Sequence, residues 1–401
     1  MKCTLLLLAQ LLILPGVSAY SSLDYDDYDD YSNHDSPVHP SKGSIPNVAD
    51  IMRTFLAEQR TVNGSNHTVW VVGKRARQFL TGPLTTATIP ALYILVFVIG
   101  LPTNGLGLWV MANRVRKLPS TIFLMNLAVA DLLLSLVLPF KIHYHILGNN
   151  WLFGEALCRT VTAFFYGNMY CSVLLLTFIS IDRYFALVHP FLSKRFRDNS
   201  FAVGSCCVIW LLAVLLVLPF LFLQQLYTIH NLNITTCHDV LPLESQAGYF
   251  FYYFVCLVAL GFLVPGCVTV FCYGSVIRTL IQTEKRYVRA TVLTVLILLV
   301  FVVCFAPSNF ILLVHQSEYR LYEDSELYIY YMLGLGLSSC SSCIDPFIYY
   351  YVSDEFRAKV KRAVYCQKDK GSALSGKSSQ ELLSATTYTP STRAASLTRA
   401  T

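Results

Sequence analysis

The sequence predicts an all-α membrane protein: a seven-transmembrane helix bundle with a short amphipathic eighth helix, a disordered N-terminal ectodomain and a disordered C-terminal tail. Three observations carry that prediction. The 401-residue chain is 55% hydrophobic and only 13% charged, with a mean hydropathy of +0.52, so lipid rather than water suits most of its surface. Seven apolar stretches are each long enough to cross roughly 30 Å of hydrocarbon as a helix of about 20 residues. The ten-residue alternation of a barrel strand is missing, and backbone groups in lipid must bond within their own segment, so the stretches are helical.

Along the chain, "MKCTLLLLAQLLILPGVSA" has one Lys, a short apolar run and a small-residue end, the pattern of a signal peptide over 1–19 cleaved before Tyr20. Residues 20–87 are rich in Ser, Asp, Asn and Pro and offer too little contiguous apolar surface to offset the entropy of ordering. The bundle occupies 88–352, with spans at approximately 88–113, 120–147, 155–188, 200–224, 248–279, 288–315 and 326–351. Arg114, Arg116 and Lys117, then Lys194, Arg195 and Arg197, then Lys285, Arg286 and Arg289 fall in alternate loops. The positive-inside rule therefore sets the N-terminus outside a plasma membrane and the tail inside, as the signal peptide also requires. The sequons at Asn63, Asn66 and Asn233 all fall on the outer side, where glycosylation takes place.

After the seventh span, "SDEFRAKVKRAVYC" (353–366) sets Phe356, Val360 and Val364 against Arg357, Lys359, Lys361 and Arg362. That pattern is a membrane-surface helix, and Cys366 at its end is a candidate for palmitoylation. Residues 367–401 are Ser- and Thr-rich and read as a regulatory tail, with Ser378, Ser379, Thr386, Thr387 and Thr389 as phosphorylation candidates. The net charge of +6 arises from these loops and the tail, while residues 23–35 are acidic, which is no signature of nucleic-acid binding. Most of the thirteen cysteines lie inside apolar runs and read as small hydrophobes.

Ionisable and amide groups within spans are costly, so each needs a partner or a wet cavity. Asn104, Asp131, Ser172 and Asp345 fall mid-span in four different helices. They read either as a structural network or as a small hydrated cavity able to take a sodium ion; no other cofactor is implied. At the inner end of the third span, Asp182, Arg183 and Tyr184 stand together, with Tyr273 and Tyr349 on other helices as alternate partners for the Arg in two states. Pro219, Pro265, Pro307 and Pro346 interrupt their helices and permit bends.

The segments "GLPTNG", "NLAVADLL", "IDRY", Trp210, Pro265 with Tyr273, "FVVCFAP" and "DPFIY" together resemble the motif set of rhodopsin-like G-protein-coupled receptors over roughly residues 88–366. That resemblance implies a Cys158–Cys237 disulfide folding the second outer loop over the pocket mouth. It also implies opening of the sixth helix about Phe301, Phe305 and Pro307 to admit a G-protein helix beside Arg183, with Asp345, Pro346 and Tyr349 as a second switch. Within this superfamily, "GNNWLFGEALC", "FFYGNMYCSVLLL", "NITTCHDVLP", "FAPSNFILLVH" and "CIDPFIYYYVS" closely resemble the protease-activated receptors. Members are cut by an extracellular serine protease after a basic residue, and the new N-terminus acts as a tethered agonist.

A cut between Arg53 and Thr54 would expose Thr54, Phe55, Leu56, Ala57, Glu58 and Gln59, which fit the family's ligand pattern of a small first residue followed by an aromatic and an aliphatic. Lys42 and Arg60 are competing cut sites. Met52 stands where thrombin-like proteases favour Pro, and the acidic "DYDDYDDY" stretch reads either as a solvated linker or as an exosite dock with sulfated Tyr25, Tyr28 and Tyr31. About 34 residues separate Thr54 from the first span, so a flexible tether reaches the pocket with ease. By resemblance the agonist pocket comprises His238, Asp239, Val240, His315, Tyr328 and Tyr331.

The expected partners are a protease, heterotrimeric G proteins leading to calcium, receptor kinases and arrestins, in coagulation or inflammatory responses. The alternative is a receptor of the same superfamily for a diffusible nucleotide, lipid or peptide. A seven-span pump would need a Lys in the seventh span or a row of pore carboxylates, and neither occurs. No paired catalytic constellation occurs on the outer face, so an enzyme is not expected.

Overall fold

The structure is a computed structural model and describes residues 55–61, 68–189, 191, 198–242, 249–282, 288–318 and 326–364. The signal-peptide region, Arg53, Thr54, the sequons at Asn63 and Asn66, Cys366 and the tail lie outside the described residues.

The spans fold as long helices: α2 (Ile89–Arg114), α3 (Pro119–Ile146), α4 (Gly154–Leu187) and α5 (Asn199–Phe222). The fifth span, α6, runs from Tyr249–Val258 through a π-helical turn at Ala259–Leu263 into Val264–Gln282. The sixth, α7, likewise joins Val288–Leu299 to Ala306–Glu318 through a π-helical turn at Val300–Phe305. Each wide turn comes just before a proline, Pro265 or Pro307, whose missing N–H and bulky ring disturb the regular ladder. The seventh span is two helices, α8 (Glu326–Ser339) and α9 (Ser341–Val352), broken at Cys340.

Six of the described helices are long and apolar enough to cross a membrane. The break at Cys340 divides the seventh into pieces of 14 and 12 residues, each too short to do so alone. Large apolar side chains such as Val98, Leu136, Leu211 and Val302 point away from the core, the surface a lipid solvent accepts. At the centre, α4 buries Tyr170, Cys171, Val173, Leu175, Leu176 and Ile179. Proline also lies inside α2 (Pro102) and α3 (Pro139), two interruptions beyond the four expected.

The amphipathic eighth helix is α10 (Asp354–Val364). Phe356 is buried on it, its ring edge-on to Tyr349 at 6.3 Å. Glu355 ties it to the first loop by accepting the Arg116 backbone N–H at 2.8 Å.

Part of the segment expected to lack structure is folded. Within 20–87, strands β1 (Phe55–Thr61) and β2 (Thr68–Val71) and helix α1 (Lys74–Thr81) form, and a π-helical turn at Leu84–Thr88 leads into α2. Strands β3 (Leu226–Ile229), β4 (Ile234–Cys237) and β5 (Val240–Pro242) come from the loop between α5 and α6. The five make one sheet in the order β4-β3-β2-β1-β5. Two N-terminal strands thus stand between the two parts of a loop more than 150 residues later. The ordering has a physical source: edges of the loop hairpin have unpaired amides and carbonyls, and the N-terminal strands satisfy them.

Candidate functional site

The loop that carries β3, β4 and β5 is fixed from several sides. Its hairpin pairs Leu226 with Cys237 through Ile229 with Ile234, and the β-branched run "ITT" suits the pleat. Exposed Asn233 takes the turn with φ 53°, a left-handed position asparagine tolerates. The Cys158–Cys237 disulfide fastens β4 to the start of α4, with Cα atoms 5.8 Å apart. Glu155, one turn earlier, accepts the Gln225 and Leu226 amides at 2.8 and 2.9 Å and the Arg159 guanidinium at 2.6 Å. Trp151 donates its amide to the Thr235 carbonyl at 2.7 Å.

Directly after the disulfide, His238 takes φ 72°, uncommon for a residue with a Cβ and a local strain that the pinned strands on either side maintain. That twist carries Asp239 inward. The carboxylate is buried and accepts two hydroxyls, from Tyr144 of α3 at 2.7 Å and from Tyr328 of α8 at 2.8 Å. His238 bonds the side chain of Gln225 through Nδ1 and lies edge-on to Tyr166 and Phe220, each ring 5.4 Å away. Tyr331 packs beside Tyr328 at 6.2 Å between ring centres. Lys141 of α3 holds its ammonium 4.8 Å from the Phe165 ring centre, within electrostatic reach of Asp239. His315 belongs to the last turns of α7. The structure thus gathers His238, Asp239, Val240, Tyr328 and Tyr331 at one end of the bundle. To them it adds Tyr144, Lys141, Gln225 and Glu155; the polar cluster "KIHYHI" at the end of an apolar span is a sequence signal for Lys141 and Tyr144, while Gln225 and Glu155 carry none.

The segment Phe55–Gln59 lies beside this cluster. Phe55, Leu56 and Ala57 pair in parallel with Val240, Leu241 and Pro242, while Glu58 to Thr61 pair antiparallel with Val71 to Thr68. β2 is itself fixed. Trp70 pairs with Ile229 and packs edge-on to Tyr227 at 6.0 Å, the His230 amide reaches the Trp70 carbonyl at 2.8 Å, and Asn231 donates to the Val72 carbonyl at 2.8 Å. Next, buried Asn149 donates to the Leu80 carbonyl at 2.6 Å and to Thr85 at 3.1 Å and bonds His145 at 2.7 Å, joining α1 to the end of α3. The long slack tether is therefore corrected: the chain is anchored from Thr68 onward, and only residues 62–67 separate that anchor from β1.

Deeper in the bundle, Tyr349 donates to Asn104 at 2.8 Å and to Asp131 at 3.4 Å, and Asn104 donates to the Ser342 carbonyl at 2.8 Å. Asp131, Asp345 and Ser172 are all fully buried nearby. Asp345 has Asp131 as its neighbour, and among the described residues it meets no amide or hydroxyl donor, while the Ser172 hydroxyl has no partner. At the opposite end from the disulfide, Arg183 forms a 2.6 Å ion pair with adjacent Asp182, and the Tyr184 hydroxyl bonds His189 at 3.0 Å. Tyr273 is buried. The expected approach of Tyr349 to Arg183 does not occur in this state, because Asn104 and Asp131 hold the Tyr349 hydroxyl. Phe301 and Phe305 stand edge-on at 5.9 Å in the π-helical turn just before Pro307, and Pro346 lies inside α9.

Comparison with known proteins agrees with this geometry. Residues 103–349 match the family described as 7 transmembrane receptor (rhodopsin family). Proteinase-activated receptor 3 of Homo sapiens is 46% identical over 276 residues, 69% of this chain and 74% of its own. Proteinase-activated receptor 4 of Rattus norvegicus is 49% identical over 296 residues, 74% of this chain and 75% of its own. Proteinase-activated receptor 2 of Mus musculus is 45% identical over 295 residues, 72% of this chain and 74% of its own.

Proposed function

Because the chain belongs to the proteinase-activated receptors of the rhodopsin family, we propose that a serine protease switches it on by cutting between Arg53 and Thr54. The freed end, TFLAEQ, is its agonist, and the signal passes to heterotrimeric G proteins. One observation carries this reading: the strand that begins one residue after that cut is paired with Val240–Pro242, next to Asp239. Continuing the parallel register by one residue after the cut would bring the new α-amino group level with Asp239. A carboxylate has about four acceptor sites, and two are used by the tyrosyl hydroxyls, so a cation can still be received.

The alternative cut after Arg60 is disfavoured, since Arg60 is paired with Val69 inside the β1–β2 hairpin and a protease needs an accessible extended strand. Arg53 precedes the strand.

Transmission follows from the bundle. A ligand that draws β5 and α8 together biases the two-helix seventh span, and α9 carries Asp345 and Tyr349. Departure of Tyr349 from Asn104 and of Arg183 from Asp182 would open the face beside α7 to a G-protein helix. In the resting state, the donor set around Asp131 and Asp345, two carboxylates and an unpartnered hydroxyl, suits a hard cation such as sodium. Arrestin and receptor-kinase engagement of the Ser- and Thr-rich tail, palmitate at Cys366 and glycans at Asn63, Asn66 and Asn233 complete the reading.

The test is Arg53→Ala in cells. Protease-evoked calcium is abolished while added TFLAEQ peptide still signals; calcium that survives the substitution refutes the cut site. Peptide inert on surface-expressed receptor refutes the agonist.

A further inference from the structure

We propose that the sheet on the 225–242 loop is a docking slot already filled by the chain's own strand Phe55–Thr61 before any cut, so that proteolysis frees an end already in place. The term agonist rests on the reading above, whereas the slot rests on strand pairing alone. β1 is an inner strand, with β2 on one side and β5 on the other. Its two halves pair in opposite senses, Phe55–Ala57 parallel with β5 and Glu58–Thr61 antiparallel with β2. Without β1, β2 and β5 would each present an open edge, and such edges take up an added strand.

The occupant is this chain's own segment because of connectivity. β2 is held on the loop through Trp70, His230 and Asn231, and six residues, at most about 20 Å of extended chain, lead from it back to β1. A strand so closely tethered has an effective concentration on the order of millimolar, so it outcompetes dilute free peptide for the slot. The intervening cut therefore need not start a search. It removes the residues before Thr54 and creates a charged end beside a strand whose register is fixed. The same occupancy raises the concentration at which peptide added in trans acts on the uncut receptor.

Hydrogen exchange on purified full-length receptor bearing Arg53→Ala, which keeps the segment uncut, tests the slot directly. The amides of 56–61 are expected to exchange at least tenfold more slowly than those of a free synthetic peptide of the same sequence, and exchange at the peptide's rate overturns the proposal. In a second measurement, a receptor lacking residues 20–61 but keeping its signal peptide responds to TFLAEQ at a severalfold lower concentration than the Arg53→Ala receptor, having no strand to displace. An equal or higher concentration overturns the competition. Peptide inert on both receptors refutes the agonist assignment, while the exchange rates still decide the slot.

Discussion

The two ends of the bundle treat their polar groups in opposite ways. At the disulfide end, Asp239 accepts two tyrosyl hydroxyls, Glu155 accepts two amides and a guanidinium, and Asn149 bonds three groups. In the middle and at the Arg183 end, the Ser172 hydroxyl, Oδ1 of Asn309 and Nε of Arg183 lack hydrogen-bond partners among the described residues, and Asp345 has only the Asp131 carboxyl beside it. A buried polar group without a partner costs about 1–3 kcal/mol, so the second region is held away from its electrostatic optimum and the first is close to it. The difference suits a rigid template for a ligand strand at one end and a movable transmission element at the other, where a second arrangement can satisfy what this one does not.

The largest expected effect comes from breaking the rigid end outright. Cys237→Ser removes the disulfide that closes a 79-residue separation, a loss of about 2–5 kcal/mol. Surface expression measured by antibody should fall steeply, and any receptor reaching the surface should respond poorly to TFLAEQ. The matched change Cys207→Ser, an exposed cysteine outside any bridge, should leave both readouts unchanged. If the two variants behaved alike, the contrast between a pinned loop and an adaptable bundle would fail.

A smaller effect separates the members of the Asp239 cluster. Asp239→Ala strands the Tyr144 and Tyr328 hydroxyls, and hydrogen bonds to charged groups contribute about 1.5–3 kcal/mol each, so peptide potency should drop on the order of ten- to a hundredfold. Tyr144→Phe and Tyr328→Phe each remove one donor and leave the carboxylate the other. Their individual losses should be smaller, and a double-mutant cycle should show coupling, since both act through one carboxylate. Additive losses would mean that Asp239 does not bridge the helices in the working receptor.

Helix existence was legible because length and apolar continuity are local signals; the spans at 120–147 and 155–188 differ from α3 and α4 by one residue at each end. The break at Cys340 and the π-helical turns before Pro265 and Pro307 were less so, since neighbouring helices decide how a proline's freed carbonyls are met. β1 and β2 look like linker in the sequence for a related reason. Their partners lie far along the chain, Trp70 of β2 pairing with Ile229, and no window of sequence contains such a pairing. In the site, the resemblance supplied Asp239 and Tyr328, but Tyr144 went unseen, because a tyrosine near a span end looks the same whether it faces lipid or a carboxylate. The sequence overstates the tether length for the same cause as β1: composition near 68–88 is polar, and its anchorage on Asn149, Asn231 and Trp70 is non-local.

The smallest effect tests the movable region. Ser172→Ala deletes a fully buried hydroxyl that has no partner among the described residues, so by itself the substitution should leave melting temperature unchanged or raise it slightly, within the roughly 1–3 kcal/mol assigned to an orphaned group. Asp239 is buried and polar too, but its removal strands two hydroxyl donors, whereas removal of the Ser172 hydroxyl strands none among the described residues. The two explanations for the orphan then divide on one variable. If the hydroxyl contributes to a cation site with Asp131 and Asp345, raising sodium should stabilise the purified wild-type receptor, as any ligand of the folded state does, and Ser172→Ala should weaken that dependence. Thermal melts in sodium against an equal concentration of a large organic cation keep ionic strength constant and isolate the specific term. A wild-type melt indifferent to sodium would remove the cation from the account, and a Ser172→Ala receptor that melts well below wild type in both salts would show that the hydroxyl is paired after all, erasing the contrast between the two regions at this residue.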